Sequence, residues 1–370
     1  MFYEALDRVN TELTGMIPAV VMDARASSVQ QGQEVRVPIT PVSTNEDVTA
    51  SSSAPVGDGE KIDTIAITID KIRRGTPILW TGEDELGVSG SGMLNSIQVD
   101  QFAQRLRSLR NEMEQDMCNE AIFGAVVKGN VRGSVGTDPF ASNLANLTQV
   151  LKDLEDAGAP TGELQAVLNT QSGMNLRNLA QLQKVNEAGE QSLLRRGVLG
   201  ELFGFTIRES AGMKHTSGTA TGYYTNSASL AIGDTTIPVD SGENGFKAGD
   251  IIKFADDPNY YVVDADLATV GNLKIKGGLK TVVGNDKAIT LYAYKPNACF
   301  SRGSIVLANR VPYVPSRGDI AIDRQIITDP VTGIPYELAV WGGAYQNSVT
   351  IATAWGVKNI KPENTVALLG

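Results

Sequence analysis

The sequence predicts an α+β fold with a small all-β domain inserted into it. Three features of the 370 residues carry this expectation. Two alternating stretches, 33–42 and 61–72, form a strand–turn–strand ribbon. Residues 96–124 show one long helical stripe. Residues 214–295 hold only short strands and turns, with no helical period.

The chain opens on residues 1–21, an expected amphipathic helix broken at Pro18. Phe2, Leu6, Val9 and Leu13 recur at three- and four-residue steps and make one apolar face. Glu4, Asp7 and Glu12 make the other face acidic, against Arg8 alone. Such a face is ordinarily solvated. Its sharper meaning is a docking arm for a basic partner helix.

In the ribbon, period-two spacing places Val35, Val37 and Ile39 on one side of the first strand. It does the same for Ile65, Ile67 and Ile69 in the second. The tip between them, 43–60, is rich in Ser, Thr, Gly and Asp. A two-stranded ribbon without a core is marginal alone in water. These six side chains are therefore expected to be covered by another copy of the chain.

A strand at 75–80 and a glycine–serine segment at 87–92 come next. Gly90-Ser91-Gly92-Met93-Leu94-Asn95 narrowly misses the dinucleotide fingerprint, because Asn95 replaces the third glycine. A hinge followed by a helix cap explains it better, with Asn95 as the cap and Gln98 closing a capping box. In the helix, Val99, Phe102, Leu106, Leu109, Met113, Met117 and Ala121 form the stripe. Arg105, Arg107, Arg110, Glu112, Glu114, Asp116 and Glu120 occupy the rest of the helix. At 1.5 Å per residue the helix runs about 40 Å, long enough to lie across a sheet.

From 144 the pattern is mixed: a helix ending at Gly158, a buried strand at 164–168, a helix around Met174 to Val185, a fragment at 193–196, and a turn into a strand at 200–208. Inside the insertion, strands are expected at 235–239, 250–254, 260–264, 273–275, 281–283 and 288–293, which together make a small barrel. The mixed texture resumes at Asn297, with a strand at 304–307, a hairpin built from 320–327 and 336–340, and a closing strand at 349–357.

Composition excludes several classes of function. A net charge of -10 argues against a general nucleic-acid coat. Cys118 and Cys299 set no disulfide framework and fit a reduced chain, with core packing the ordinary role of Cys118. Residues 1–26 lack a secretory leader's pattern, and no apolar run reaches the ~20 residues of a membrane span. No P-loop occurs. With His215 as the single histidine, neither a His/Cys zinc site nor a catalytic triad has its members, and an exposed linker position is expected for it. Asp256, Asp257, Asp264 and Asp266 do not have EF-hand spacing and read as a solvated turn. Tyr260, Tyr261, Tyr292 and Tyr294 could stack a sugar, though half-buried strand tyrosines are commoner. No catalytic residue, cofactor or metal is assigned.

This order of elements resembles the major capsid proteins of tailed bacteriophages, the fold shared with herpesvirus shells. The resemblance is strongest to coat proteins of short-tailed enteric phages, which carry an inserted barrel. Four segments bear it: the arm from Leu6-Asp7 to Ile17-Pro18; residues 200–210; Phe246-Lys247-Ala248-Gly249-Asp250-Ile251-Ile252-Lys253-Phe254; and the ending Ala354-Trp355-Gly356-Val357-Lys358-Asn359-Ile360-Lys361-Pro362-Glu363. It covers nearly the whole chain and includes no catalytic motif.

The resemblance implies an N-terminal arm (1–32), an extended loop (33–72), a peripheral domain with its spine helix (73–143), an apical domain (144–213), the inserted barrel (214–295), and a return to both larger domains (296–370). It implies a non-enzymatic shell subunit in a virion, assembled in host cytoplasm from pentamers and hexamers. A scaffolding protein, a portal protein and packaged double-stranded DNA are the implied partners, with no membrane. Glu4, Asp7 and Glu12 are the candidate scaffold contacts; Val35, Val37, Ile39, Ile65, Ile67 and Ile69 are the candidate intersubunit contacts. Some members of the broader fold crosslink a loop lysine to an asparagine. Lys61, Lys71, Asn359 and Asn364 are the residues placed for it, although insertion-bearing relatives lack the bond. The rival expectations are an encapsulin-like bacterial compartment and a glycan-acting hydrolase with an appended barrel.

Overall fold

The computed structural model describes residues 2–10, 12–23, 30, 32–39, 45, 63–89, 94–134, 136–179, 182, 200–227, 230–315 and 318–370. Helix α1 (Phe2–Asn10) leads through a 3-10 turn, Ile17–Ala19, to β1 (Val21–Asp23). The ribbon is β2 (Glu34–Ile39) and β3 (Asp63–Thr68). Then come β4 (Lys71–Arg74), β5 (Ile78–Thr81), α2 (Gly82–Ser89) and the spine helix α3 (Leu94–Lys128). Next come β6 (Val131–Arg132), α4 (Ala145–Asp156), β7 (Leu164–Leu168), α5 (Thr170–Asn178), β8 (Glu201–Leu202) and β9 (Phe205–Glu209). Residues 214–295, the expected insertion, hold β10 (Tyr223–Thr225), β11 (Thr236–Asp240), β12 (Ile251–Phe254), β13 (Tyr261–Val262), β14 (Gly271–Lys274) and β15 (Ala288–Tyr292). The chain returns through β16 (Pro296–Ser301), β17 (Ile305–Arg310), β18 (Ala321–Thr328), β19 (Pro335–Gly343), β20 (Gln346–Asn359) and β21 (Thr365–Leu369).

The spine helix is 35 residues long, about 52 Å. It exceeds its expected span at both ends. Asn95 therefore stands inside the first turn, not ahead of it as a cap. The expected hinge is occupied in part by α2, and residues 90–92 lie outside the described set. The apolar stripe is confirmed: Val99, Leu106, Leu109, Met113, Met117 and Ala121 are all buried.

Two sheets pack on this helix. In the first, β1-β17-β20-β19-β18 run in order, with β4 and β5 on the other edge of β20. Ile305, Leu307, Ile351 and Trp355 point to the spine, while Val306, Ala308 and Ala354 point to the opposite face. In the second sheet, β6-β21-β16-β7-β9-β8, successive residues serve two cores. Ala298, Phe300, Ala367 and Leu369 meet the spine core. Cys299, Val366 and Leu368 meet α4 and α5 through Leu147, Val150, Leu154 and Leu176. Burial on both faces explains the unbroken apolar run of β21. The turn from β8 to β9 places Phe203 and Gly204 at positive φ, which suits a tight hairpin.

The insertion is a six-stranded antiparallel sheet, β13-β12-β15-β10-β11-β14, around its own core of Tyr223, Ile237, Phe254, Tyr261, Leu273 and Ile289. Its two edge strands meet beyond their ends at a bridge between Val263 and Ile275. The bonds there are Asp264 N to Lys274 O, 2.8 Å, and Lys276 N to Val262 O, 2.9 Å. The expected strand at 281–283 is only a bridge from Val283 to Leu230. Of the expected helix from Met174 to Val185, the first residues fall in α5, capped by Asn169, whose side chain accepts from Ser172 N at 2.7 Å; 180, 181 and 183–185 lie outside the described residues. The fragment at 193–196 lies outside the described residues.

Candidate assembly surfaces

The ribbon register pairs Val35 with Ile67 and Val37 with Ile65, so these four side chains share a face as expected. The structure corrects what covers them. Val35, Ile67 and Ile69 are buried against Val306, Ala308, Ala354 and Ile360 of the same chain. The base of the ribbon lies on the back of the β17–β20 sheet, close enough that a side chain at Gly356 would strike the Thr68 carbonyl. These three residues therefore belong to the subunit core and cannot serve a neighbour. Val37, Ile39 and Ile65, farther out, are half-buried and keep apolar surface to share. Apart from Asn45, the tip 43–60 falls outside the described residues.

Helix α1 packs its apolar face on the spine, with Phe2 edge-on to Phe102 at 6.1 Å. Its acids separate. Glu4 and Asp7 are exposed, and Glu4 pairs with Arg8, which also reaches Asp100. Glu12 forms an ion pair with Arg107 of the spine. The basic helix that the arm expected in a partner is, for Glu12, its own.

Two charged spine residues outside the apolar stripe are buried and hold the arm. The Glu114 carboxylate accepts from the amides of Gly15 (2.7 Å), Met16 (2.7 Å) and Ile17 (3.0 Å), and from the Ser210 hydroxyl (2.7 Å). One turn earlier, Arg110 donates to the Val9 carbonyl (3.1 Å), to Asn10 Oδ1 (2.6 Å) and to Thr14 Oγ1 (2.8 Å). The amides at the start of the 3-10 turn would otherwise be orphan donors, so a carboxylate is the natural acceptor. The only trace in the sequence is the i, i+4 pair of opposite charges on the spine.

The insertion is seated on the C-terminal half of the spine. Lys280 Nζ donates to the Val126 carbonyl at 2.8 Å in the helix's last turns. Burial lowers the Lys280 ammonium from its ordinary range, with the Asp257 charge opposing. Lys276 lies over the Phe123 ring, 4.7 Å from its centroid. His215 is not an exposed linker residue. Its Nε2 is 2.8 Å from Asp250 Oδ1 and its ring stacks on Tyr294 at 5.0 Å. It thereby ties together the strands entering and leaving the insertion. Asp257 is not a solvated turn either. It accepts from Tyr261 Oη (2.7 Å), Thr281 Oγ1 (2.5 Å) and Asn259 N (2.9 Å). Burial acts to raise its carboxyl, but these bonds outweigh it and hold it below the usual range.

Lys71 is engaged by Asp116 (2.8 Å) and Glu112 (3.2 Å). Asn359 and Asn364 are buried, and Lys61 lies outside the described residues. Asn359 and Asn364 are thus closed to a neighbour's lysine. Cys118 and Cys299 are free and buried; burial pushes the Cys299 thiol up to about 12 and Cys118 well above its usual range. Among the described residues no cluster of three His, Cys, Asp or Glu could hold a metal ion, and no helix is long and apolar enough to cross a membrane.

No protein-family model and no curated protein matches the sequence. Solved structures do. One from Mycobacterium phage Che8 aligns over 97% of this chain and 92% of its own, with a TM-score of 0.54 at 14% identity. The likeness to the Che8 structure is one of fold. The mature capsid of bacteriophage PhiM1 aligns over 96% and 87%, with a TM-score of 0.47 at 12% identity. The capsid of cyanophage P-SCSP1u aligns over 97% and 89%, with a TM-score of 0.47 at 11% identity. The expected α+β architecture, with its long helix and two-stranded ribbon, is present.

Proposed function

We propose that this chain is the major subunit of an icosahedral shell enclosing double-stranded DNA in a phage virion. The observation that carries the reading is the fold, which is shared over 97% of the chain with the structure from Mycobacterium phage Che8. The distal ribbon supports it: Val37, Ile39 and Ile65 are left half-buried on an element with almost no core of its own. So does β18, an edge strand carrying exposed Ile322 and Ile326 that a solitary protein would blunt or cover.

The finer parts of the proposal follow. The insertion is a small closed barrel, favoured by the Val263–Ile275 bridge between its edge strands, and likens the chain to coat proteins of short-tailed enteric phages. Subunits form pentamers and hexamers, and a portal protein occupies one vertex. Exposed Glu4 and Asp7 on α1 meet a scaffolding protein. The acidic balance leaves packaged DNA facing a lining that does not bind it.

Sedimentation of the purified chain, with and without the phage's scaffolding protein, tests this reading. Megadalton particles are expected. A lone monomer under all conditions, or turnover of glycans, would contradict it.

A further inference from the structure

The seven-stranded sheet forks. Along one edge of β20, β19 pairs up to Glu337–Ala352 and β17 begins at Arg310–Ala354. Between the two pairs sits Thr353, fully buried, whose hydroxyl reaches the Pro335 carbonyl at 3.1 Å. Beside it opens a cleft of about 420 Å³, walled by Met22, Val311, Ile326 and Pro335. Arg310 lines it, 5% exposed. Among the described residues its guanidinium bonds from Nη1 to the Val311 carbonyl, 2.8 Å, and its Nε has no partner. Asp23 is also on the rim. Burial lowers the Arg310 guanidinium from its ordinary range, with no carboxylate opposing. A buried guanidinium without an anion is costly, and its planar fork suits a carboxylate. The walls require that the carboxylate arrive with an apolar neighbour.

Helix α2 presents that combination. Glu83, Asp84, Glu85 and Leu86 are all exposed, Leu86 by 70%. Asp84 is tied back to Thr81 at 2.7 Å. Glu83 and Leu86 are three residues apart and share a helix face. The α2 of the same chain cannot reach the cleft. It follows β5, which pairs with β20 at Thr81–Gln346, the far end of the β19–β20 hairpin. From Pro335 to Gly343 the strand runs roughly 27 Å.

We infer that the cleft receives α2 of a second copy, with Glu83 of that copy on Arg310 and its Leu86 against Ile326 and Met22. The inference rests on the shell reading for the presence of a second copy. A contact from one end of a subunit to the other end of the next is heterologous and generates rings when the rotation closes.

The test is a disulfide trap in the full chain. The native thiols are buried, so Leu86→Cys with Ile326→Cys supplies the reactive pair. Assembled material under mild oxidation with diamide should give a ladder of covalent multimers on a non-reducing gel. Adding Glu83→Gln should slow the ladder about tenfold, as loss of a charge-assisted pair implies, whereas Glu85→Gln should change it less than twofold. Replacing Ile326→Cys by Ile232→Cys, exposed on the insertion, should abolish it. Particles that form without a ladder, or an equal ladder from the Ile232→Cys control, overturn this contact and leave the shell reading standing. Absence of any self-association overturns both.

Discussion

Replacing Glu114 by glutamine should unfasten the N-terminal arm. The change is nearly isosteric, so packing is conserved and the loss is electrostatic. In the wild type, Oε1 accepts from Gly15 N, Met16 N and the Ser210 hydroxyl, and Oε2 accepts from Ile17 N. In the variant, the amide keeps one acceptor oxygen, and its NH2 faces a backbone N–H. One charged hydrogen bond, ordinarily about 1.5–3 kcal/mol, is lost outright and leaves a buried donor unpaired. The other three weaken from charge-assisted to neutral. Together the cost is about 3–5 kcal/mol, in the range for breaking a buried polar network from one side. The strain concentrates at residues 15–17, so release of the arm relieves it before global unfolding does. Urea unfolding of the unassembled subunit should show the loss, and limited proteolysis should cut before residue 20 at least tenfold faster. Glu4→Gln, an exposed control, should change stability by less than about 0.5 kcal/mol. If Glu114→Gln matches that control and the arm stays protected, the clamp does not hold the arm.

The two halves of the ribbon should behave differently. Ile67→Ala should destabilise the subunit by about 2–4 kcal/mol in urea, as for a buried core position, whereas Ile39→Ala should cost less than about 1 kcal/mol yet slow particle formation by light scattering. Gly356→Ala should give insoluble or misfolded chain, because its new methyl group strikes the Thr68 carbonyl of the ribbon base; soluble protein with an unchanged Tm would refute that packing. The thiols make an alkaline prediction. Cys299 is raised to about 12 and Cys118 is also raised, against an unfolded value of about 8.5. Folding favours the protonated thiols, so their contribution is intact below the unfolded value and is lost as pH rises through the window up to about 12. Thermal melts should decline across that window, less so in Cys299→Ala after allowing for its cavity, and a thiol reagent at neutral pH should label neither cysteine until the chain unfolds.

Local periodicity made much of this fold legible. The stripe from Val99 to Ala121, the alternation of β2 and β3, and the hairpin of β18 and β19 depend on neighbours in sequence, and all are present. What stayed hidden depends on partners far along the chain. Val35 and Ile67 looked bare because their cover, Val306 and Ala354, lies about 240 residues or more away and joins them only in the folded sheet stack. The role of Arg110 and Glu114 was not legible, because most of their partners are backbone groups of residues 9–17, which no side-chain pattern reveals. β21 lies beyond the strand expected to close the chain, and was not foreseen because its five residues carry no period, as a strand buried on both faces requires. His215 was read from its polar neighbours, while its position is set by Asp250 and Tyr294. Of the six ribbon candidates, the three nearest the base proved to be core.

Negative-stain electron microscopy of the purified chain tests the central claim most directly. Closed, regular shells tens of nanometres across are expected, bearing fivefold and sixfold clusters. A field of separate subunits, under conditions where scaffolding protein is supplied and the chain is folded, would contradict it.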